Sequence, residues 1–484
     1  MNKVLPRKPI LAVSSGILTA LAMPGFGGWP LIFVALVPLM YALDGKGRFL
    51  STFLFAGAFL AIDLRWLLTL QRFSPLVIPG FILLIGYLSV LFAVGSSILK
   101  RRFEGGHFII AIGVWFSFFE YLRTIGPLGI GFPSIYHSLY RVPALIQAAS
   151  YLGPWPITGL LAAVNASFYL ALKKRRVGYA LTGAALIGAM AAFSLIPIDE
   201  GGAPMMVAVV SSNVEQEEKL DSANLARLSD RYLKLGERAV AVGADLIVFP
   251  ESILPAYILR EKGLSSQFER LAEDSGGEVL IGTGDHRNGR IYNSVALFSP
   301  TPGSVETYDM VRPVPFGEYI PARRIWEGIG LKPLVDSFLP QDLSRGEGYT
   351  PLEGIGTPIC FESTFPGPSR RFVLSGATLI VTVTNDAWFT GSSELEAHFA
   401  AAVFRAVENR RFTIQAANGG ISGIIDPRGR IIGSTRSEGV LTGEVVRRDD
   451  VSPYSRWGDL PFLIIVGVGI VSIIASQIKN RDGG

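Results

Sequence analysis

Ala244-Asp245-Leu246-Ile247-Val248-Phe249-Pro250-Glu251 reads as a short buried strand whose end presents a carboxylate. A bounded apolar run of this length suits a strand of an α/β fold. Met206-Val207-Ala208-Val209-Val210 opens the same region as another strand, and a long charged helix is predicted between them, from Glu215 to Val242. Further strands are predicted at 279–282, 292–298, 356–361, 377–383, 413–417 and 423–426, with helices at 265–274 and 394–410. Strands alternating with helices over roughly 250 residues describe one α/β domain of ordinary size.

Outward from this domain the composition changes. The chain is 49% hydrophobic and 17% charged, and its mean hydropathy is +0.39. Most of the charge follows residue 198; before it come apolar runs near the roughly 20 residues needed to cross a bilayer as helix. Spans are predicted at 9–25, 28–43, 49–69, 76–99, 107–123, 155–172, 177–197 and 459–478. The organisation is therefore a multi-span α-helical membrane domain at 1–198 of about seven helices, an α/β domain at 199–452, and a last span with its tail at 453–484.

Basic residues mark every second connection: Lys3, Arg7 and Lys8; Lys46 and Arg48; Lys100, Arg101 and Arg102; Lys173, Lys174, Arg175 and Arg176; Lys479 and Arg481. The positive-inside rule then puts both termini in the cytoplasm and residues 198–458 on the opposite face. The net charge of +4 comes from these clusters, so it speaks for anionic lipid headgroups and not for nucleic acid. Asp63, Arg65, Glu120 and Arg123 sit in or beside spans, where ionisable groups hint at a cavity or a lipid path unless they snorkel to the interface. Trp66, Trp115, Tyr121, Tyr136, Tyr140 and Trp155 fit an interfacial aromatic belt.

Cys360 is the single cysteine, in Thr357-Pro358-Ile359-Cys360-Phe361-Glu362-Ser363. It cannot form an internal disulfide, so it is either a nucleophile or a small buried apolar group. His107, His137, His286 and His398 are scattered without metal-ligand spacing, and neither metal nor cofactor is expected. Three segments put a carboxylate or thiol at predicted strand ends, where α/β folds concentrate function: Phe249-Pro250-Glu251-Ser252, Val314-Pro315-Phe316-Gly317-Glu318-Tyr319 and Ile359-Cys360-Phe361-Glu362.

In this order and spacing the set resembles the nitrilase superfamily, whose α-β-β-α sandwich uses a Glu, a Lys and a Cys. Joined to the membrane block, and with Glu120-Tyr121-Leu122-Arg123, Gly131-Phe132-Pro133, Thr384-Asn385-Asp386-Ala387-Trp388-Phe389, Asn418-Gly419-Gly420-Ile421 and Ile425-Asp426-Pro427-Arg428-Gly429-Arg430, the chain resembles the apolipoprotein N-acyltransferase family of the bacterial inner membrane. That resemblance implies Cys360 as the nucleophile toward a phospholipid acyl ester and Glu251 as its general base. A diacylglyceryl-cysteine lipoprotein would be the acceptor, and the bilayer the source of substrate. Glu318 and Glu362 take supporting roles. Phe361, Asn385, Trp388 and Phe389 are candidates for substrate contact. A monomer is expected.

One position departs from the family pattern. A catalytic Lys is expected eight residues before Glu318, and the chain reads Tyr308-Asp309-Met310-Val311-Arg312. A thioether carries neither charge nor N–H, so the expectation is an enzyme that acylates Cys360 slowly or not at all. Arg312 is a substitute cation of different shape. A membrane-tethered nitrilase-type amidase and a non-catalytic relative remain open alternatives. The Pro- and Gly-rich segment from Pro321 to Gly356 reads as a loop suited to a lid.

Overall fold

β2 (Leu246–Val248) is buried on both faces because its neighbours cover it from two directions. It lies parallel to β1 (Pro204–Ser211) and β3 (Glu278–Arg287) in a sheet that also holds β4 (Arg290–Phe298), β5 (Val305–Asp309) and β11 (Gly439–Val446), in the order β11-β1-β2-β3-β4-β5. A second sheet, in the order β10-β9-β8-β7-β6, is built from β6 (Ile355–Gly356), β7 (Leu379–Asn385), β8 (Thr413–Asn418), β9 (Ser422–Ile425) and β10 (Ile431–Thr435). The computed structural model describes residues 7–96, 105–199 and 201–482, and side chains of the last helix as far as residue 472. Lys3, Lys100, Arg101 and Arg102, and the side chains of Lys479 and Arg481, lie outside the described residues.

Alternation along each strand sorts side chains between two cores. Val207, Val209, Leu246, Val248 and Leu280 of the first sheet meet Leu379, Val381, Val383, Ile414 and Ala416 of the second in one buried cluster. Ala208, Val210, Ile247, Val279 and Ile281 point the other way, against Leu228, Tyr232, Leu235, Phe268 and Leu271 from helices Leu225–Ala241 and Lys262–Ser275. This is the α-β-β-α arrangement, and it explains why the first strands read as continuous apolar runs instead of alternating ones.

The chain divides into two compact units: residues up to Pro197 with Ser392–Ala400 and the chain from Arg456, and Ile198–Gly391 with Ala401–Ser455. In the first unit, four helices among the described residues are long and apolar enough to cross a membrane: Arg48–Arg72, Val77–Gly95, Trp155–Lys174 and Val177–Leu195. Helices Gly106–Leu122 and Trp155–Lys174 approach closely because Gly113 faces Gly159; a Cβ on Gly113 would lie 3.1 Å from the Gly159 carbonyl oxygen. Small residues at such crossings let backbones pack without a lipid-filled gap.

Several expectations are corrected. The span expected at 28–43 is broken into a 3-10 turn, Trp29–Phe33, and a six-residue helix, Val37–Ala42, with prolines in the first turn of each. Asn165 makes the break tolerable: its Oδ1 accepts from Leu36 N at 2.9 Å and its Nδ2 donates to the Ile32 carbonyl at 2.8 Å. Backbone groups freed by a broken apolar helix need such partners when water is excluded. Of the expected aromatic belt, Trp66, Trp115, Tyr136, Tyr140 and Trp155 are instead buried within the unit. Glu120 and Arg123 form a buried pair at 2.8 Å, and Glu120 Oε1 also accepts from Ile135 N at 2.8 Å, so they fasten a helix end to the following loop.

In the second unit the helix expected from Glu215 to Val242 is three pieces: Gln216–Leu220, a 3-10 turn Ser222–Asn224, and Leu225–Ala241. Asp221 makes the break, its carboxylate accepting from Ala223 N at 2.9 Å. The strand expected at 356–361 shrinks to Ile355–Gly356, and Cys360 opens a 3-10 turn, Cys360–Thr364. Within Pro321–Gly356, helices Arg323–Gly328 and Lys332–Phe338 expose Ile325, Trp326 and Leu334, and Ile329 is exposed just after the first. Arg323 holds this segment through Asp342 at 2.8 Å and Asp336 at 3.1 Å.

Candidate active site

Glu251 follows β2 on a loop that continues to pair with β3. Gly282 N donates to the Pro250 carbonyl and Ile253 N to the Gly282 carbonyl, both at 3.1 Å. Gly282 permits this approach, since a Cβ there would run into the Glu251 Cα. The Glu251 carboxylate is held at both oxygens: Asn293 Nδ2 donates to Oε1 at 2.6 Å, and Asn385 N donates to Oε2 at 2.8 Å. Its charge also acts on the Cys360 thiol. Burial pushes its pKa up, and the Asn293 bond and the nearby Lys219 charge pull against that rise.

Cys360 has a φ of 45°, in the left-handed region that a residue with a Cβ enters at a cost. The turn is fixed by Ser363 Oγ, which donates to the Cys360 carbonyl at 2.8 Å, and by Glu362 N, which donates to the Ile359 carbonyl at 2.9 Å. Burial drives the thiol well above its ordinary pKa, with the Glu251 and Asp386 carboxylates adding to the rise. Thr384 Oγ1 stands 3.4 Å from Sγ and 2.5 Å from Asp386 Oδ1, so its hydroxyl links the thiol to that carboxylate.

Glu362 binds four donors. Its Oε1 accepts from Val311 N and Arg312 N, both at 2.8 Å, and its Oε2 from Tyr308 Oη at 2.8 Å and Ile359 N at 3.1 Å. It thereby joins the chain leaving β5 to the turn carrying the nucleophile. Burial outweighs these donors and raises its pKa to about 7; Glu318 is likewise raised to about 7 by burial, then by the charge of Glu251.

For both carboxyls the folded pKa lies above the ordinary 4.5. The stability they contribute is full below about 4.5 and is lost as pH rises through about 7. Glu362→Ala leaves four donors unpaired, two of them buried, Tyr308 Oη and Ile359 N, at roughly 1–3 kcal/mol for each buried one before relaxation, so a loss of about 3 kcal/mol or more is expected, with Glu362→Gln milder. Melting temperatures in detergent between pH 5 and 8 check this: the wild-type falls with rising pH, and Glu362→Gln falls less steeply.

Met310 follows β5 and is 1% exposed. Its Sδ is 3.9 Å from Asn293 Nδ2, the same nitrogen that donates to Glu251 Oε1 and, at 3.1 Å, to Glu318 Oε1. Glu251, Met310 and Glu318 thus converge on one amide, and the Glu251 charge is the one that acts most strongly on the Cys360 thiol. Arg312 turns elsewhere, its guanidinium carbon 3.5 Å from the centroid of the Phe365 ring.

Asn385 spends its side chain within the fold, donating to Gln216 Oε1 at 2.7 Å and accepting from Asn418 Nδ2 at 2.8 Å, while its N–H fixes Glu251. Phe361 is half-buried beside Phe365, the two ring centroids 5.0 Å apart. Trp388 and Phe389 are half-buried on the turn after Asn385. Five contributors were missed in the sequence: Lys219, Asn293, Tyr308, Thr384 and Asp386. Thr384 and Asp386 lie in a segment quoted above and Tyr308 directly precedes Asp309-Met310; nothing local marks the other two.

The Apolipoprotein N-acyltransferase N-terminal domain family matches residues 15–167, and the Carbon-nitrogen hydrolase family matches residues 207–453. The Apolipoprotein N-acyltransferase of Geobacter metallireducens is 32% identical over 510 aligned positions, covering 98% of this chain and 97% of the relative. That of Thermotoga maritima is 30% identical over 501, covering 97% and 94%. Among solved structures, an amidase from a Nesterenkonia species is 19% identical with a TM-score of 0.38, covering 52% of this chain and 93% of its own.

Proposed function

The chain belongs to the apolipoprotein N-acyltransferase family, and from that premise we propose how its residues move an acyl chain from a phospholipid to the N-terminal amine of a diacylglyceryl-cysteine lipoprotein. The observation that carries the reading is the buried Glu251 carboxylate, clamped at both oxygens, with its charge acting on the Cys360 thiol. Glu251 takes the thiol proton as Sγ attacks the ester carbonyl. Collapse of the tetrahedral adduct breaks the ester C–O bond; the leaving lysophospholipid oxygen takes the proton from Glu251, and a thioester remains. In the second half the acceptor amine attacks the thioester carbonyl, Glu251 takes a proton from the nitrogen, and the C–S bond breaks to return the thiol.

Burial raises the Glu251 pKa above the ordinary carboxylate value, which makes it a stronger base for the thiol proton than an exposed carboxylate. Helices long and apolar enough to cross a membrane suit a lipid substrate class, and the basic clusters at Lys46, Arg48 and Lys173 to Arg176 support a periplasmic side for residues 198–458 under the positive-inside rule. Likeness to transferases over nearly the whole chain, membrane block included, favours acyl transfer over an amidase. Met310 leaves the carboxylate cluster without a cation on the Asn293 side, so acylation of Cys360 is slow.

The test is mass spectrometry of the purified full chain incubated with phospholipid, then with a diacylglyceryl-cysteine peptide. An acyl-length adduct on Cys360 that moves to the peptide amine is expected. Release of ammonia from small amides with no adduct from phospholipid would overturn the reading in favour of the amidase.

A further inference from the structure

Helix Gln216–Leu220 turns two polar side chains inward at i and i+3 spacing, Gln216 and Lys219, and leaves Glu217 and Leu220 in solvent. Gln216 is the acceptor for Asn385 Nδ2, so the helix is docked on the strand end whose backbone N–H fixes Glu251. Lys219 is 6% exposed, and its Nζ donates to the Glu251 carbonyl at 3.0 Å. An ammonium in such a place is costly unless opposite charge is near. Its charge acts on both Glu251 and Cys360.

We propose that Lys219 is the positioning cation of this site: its ammonium supports the ionised forms of Cys360 and Glu251 from the backbone side of Glu251, where Met310 offers no charge from the Asn293 side. The proposal rests on the acyl-transfer reading for its purpose, but the place of Lys219 stands on the Lys219–Glu251 and Gln216–Asn385 hydrogen bonds. Among the charges that act on the thiol, the carboxylates of Glu251, Asp386 and Glu318 all raise its pKa. Three acids near one thiol hold the proton on sulfur, and a neighbouring ammonium opposes them. Burial lowers the Lys219 pKa to about 8, against the pull of Glu251 and Cys360, so this support fades as pH rises through about 8.

Alkylation of Cys360 by iodoacetamide, followed by intact mass on the full chain in detergent, reads thiol activation without phospholipid or acceptor; failure of the transfer reading therefore leaves this readout intact. Lys219→Met is expected to slow alkylation roughly tenfold at pH 7, corresponding to about one unit in the thiol pKa. The gap closes toward pH 10, and Lys219→Arg recovers most of the rate. In a Met310→Lys background, which restores charge from the other side, the same Lys219→Met change costs less than about threefold. An unchanged alkylation profile in Lys219→Met overturns the proposal. So does an equal loss in both backgrounds at every pH, the mark of a merely structural lysine. If Lys219→Met alone does not fold, Lys219→Arg against Lys219→Gln in the Met310→Lys background decides between the same two outcomes.

Discussion

Met310→Lys accelerates acylation of Cys360 by about 100- to 1000-fold, the range associated with one well-placed donor to developing negative charge. The side chain already ends in the right surroundings: Sδ is 3.9 Å from the Asn293 nitrogen that bonds Glu251 and Glu318. A lysine of similar length would bring an ammonium into a cluster of two carboxylates. Glu318, held at about 7 by burial and by Glu251, would then ionise more easily. Single-turnover acylation, read as the acyl adduct on Cys360, checks the rate. A Met310→Lys rate within threefold of the starting protein would show that position 310 does not limit the chemistry.

Glu251→Gln lowers both half-reactions by about 100- to 10,000-fold, the worth of a positioned general base. The substitution preserves shape but not hydrogen-bond sense. Glu251 accepts from Asn293 Nδ2 on one oxygen and from Asn385 N on the other, so an amide there must set its NH2 against one of two donors. The loss should appear in acylation and in transfer to the acceptor peptide alike. Loss confined to acylation would show that the incoming amine uses another base.

Glu251 and Cys360 were legible through resemblance, because the segments that carry them, Phe249-Pro250-Glu251-Ser252 and Ile359-Cys360-Phe361-Glu362, match a family pattern. What lay hidden is what register and breaks decide. Asn293 is one polar residue within β4, and it reaches Glu251 because the β3–β4 hairpin pairs it with Gly284 and the β4–β5 pairing brings Met310 beside it. Lys219 looked like one charge among many on a long helix, and only the Asp221 break frees its turn to face inward. β5, β10 and β11 were unread because their side chains are largely half-exposed and mixed in character. The buried aromatic residues of the helical unit follow from packing between helices, which hydropathy along one helix does not record.

The left-handed backbone at Cys360 has a consequence for how such an enzyme can be improved. A residue with a Cβ held at a φ of 45° costs on the order of 1–3 kcal/mol, and the turn exists because it aims the thiol. Glycine would occupy the same conformation without that cost, so selection for heat resistance alone would push position 360 toward an inert residue. Thermal stability and turnover draw on the same backbone angle here. A hardened version of this protein must gain its stability elsewhere.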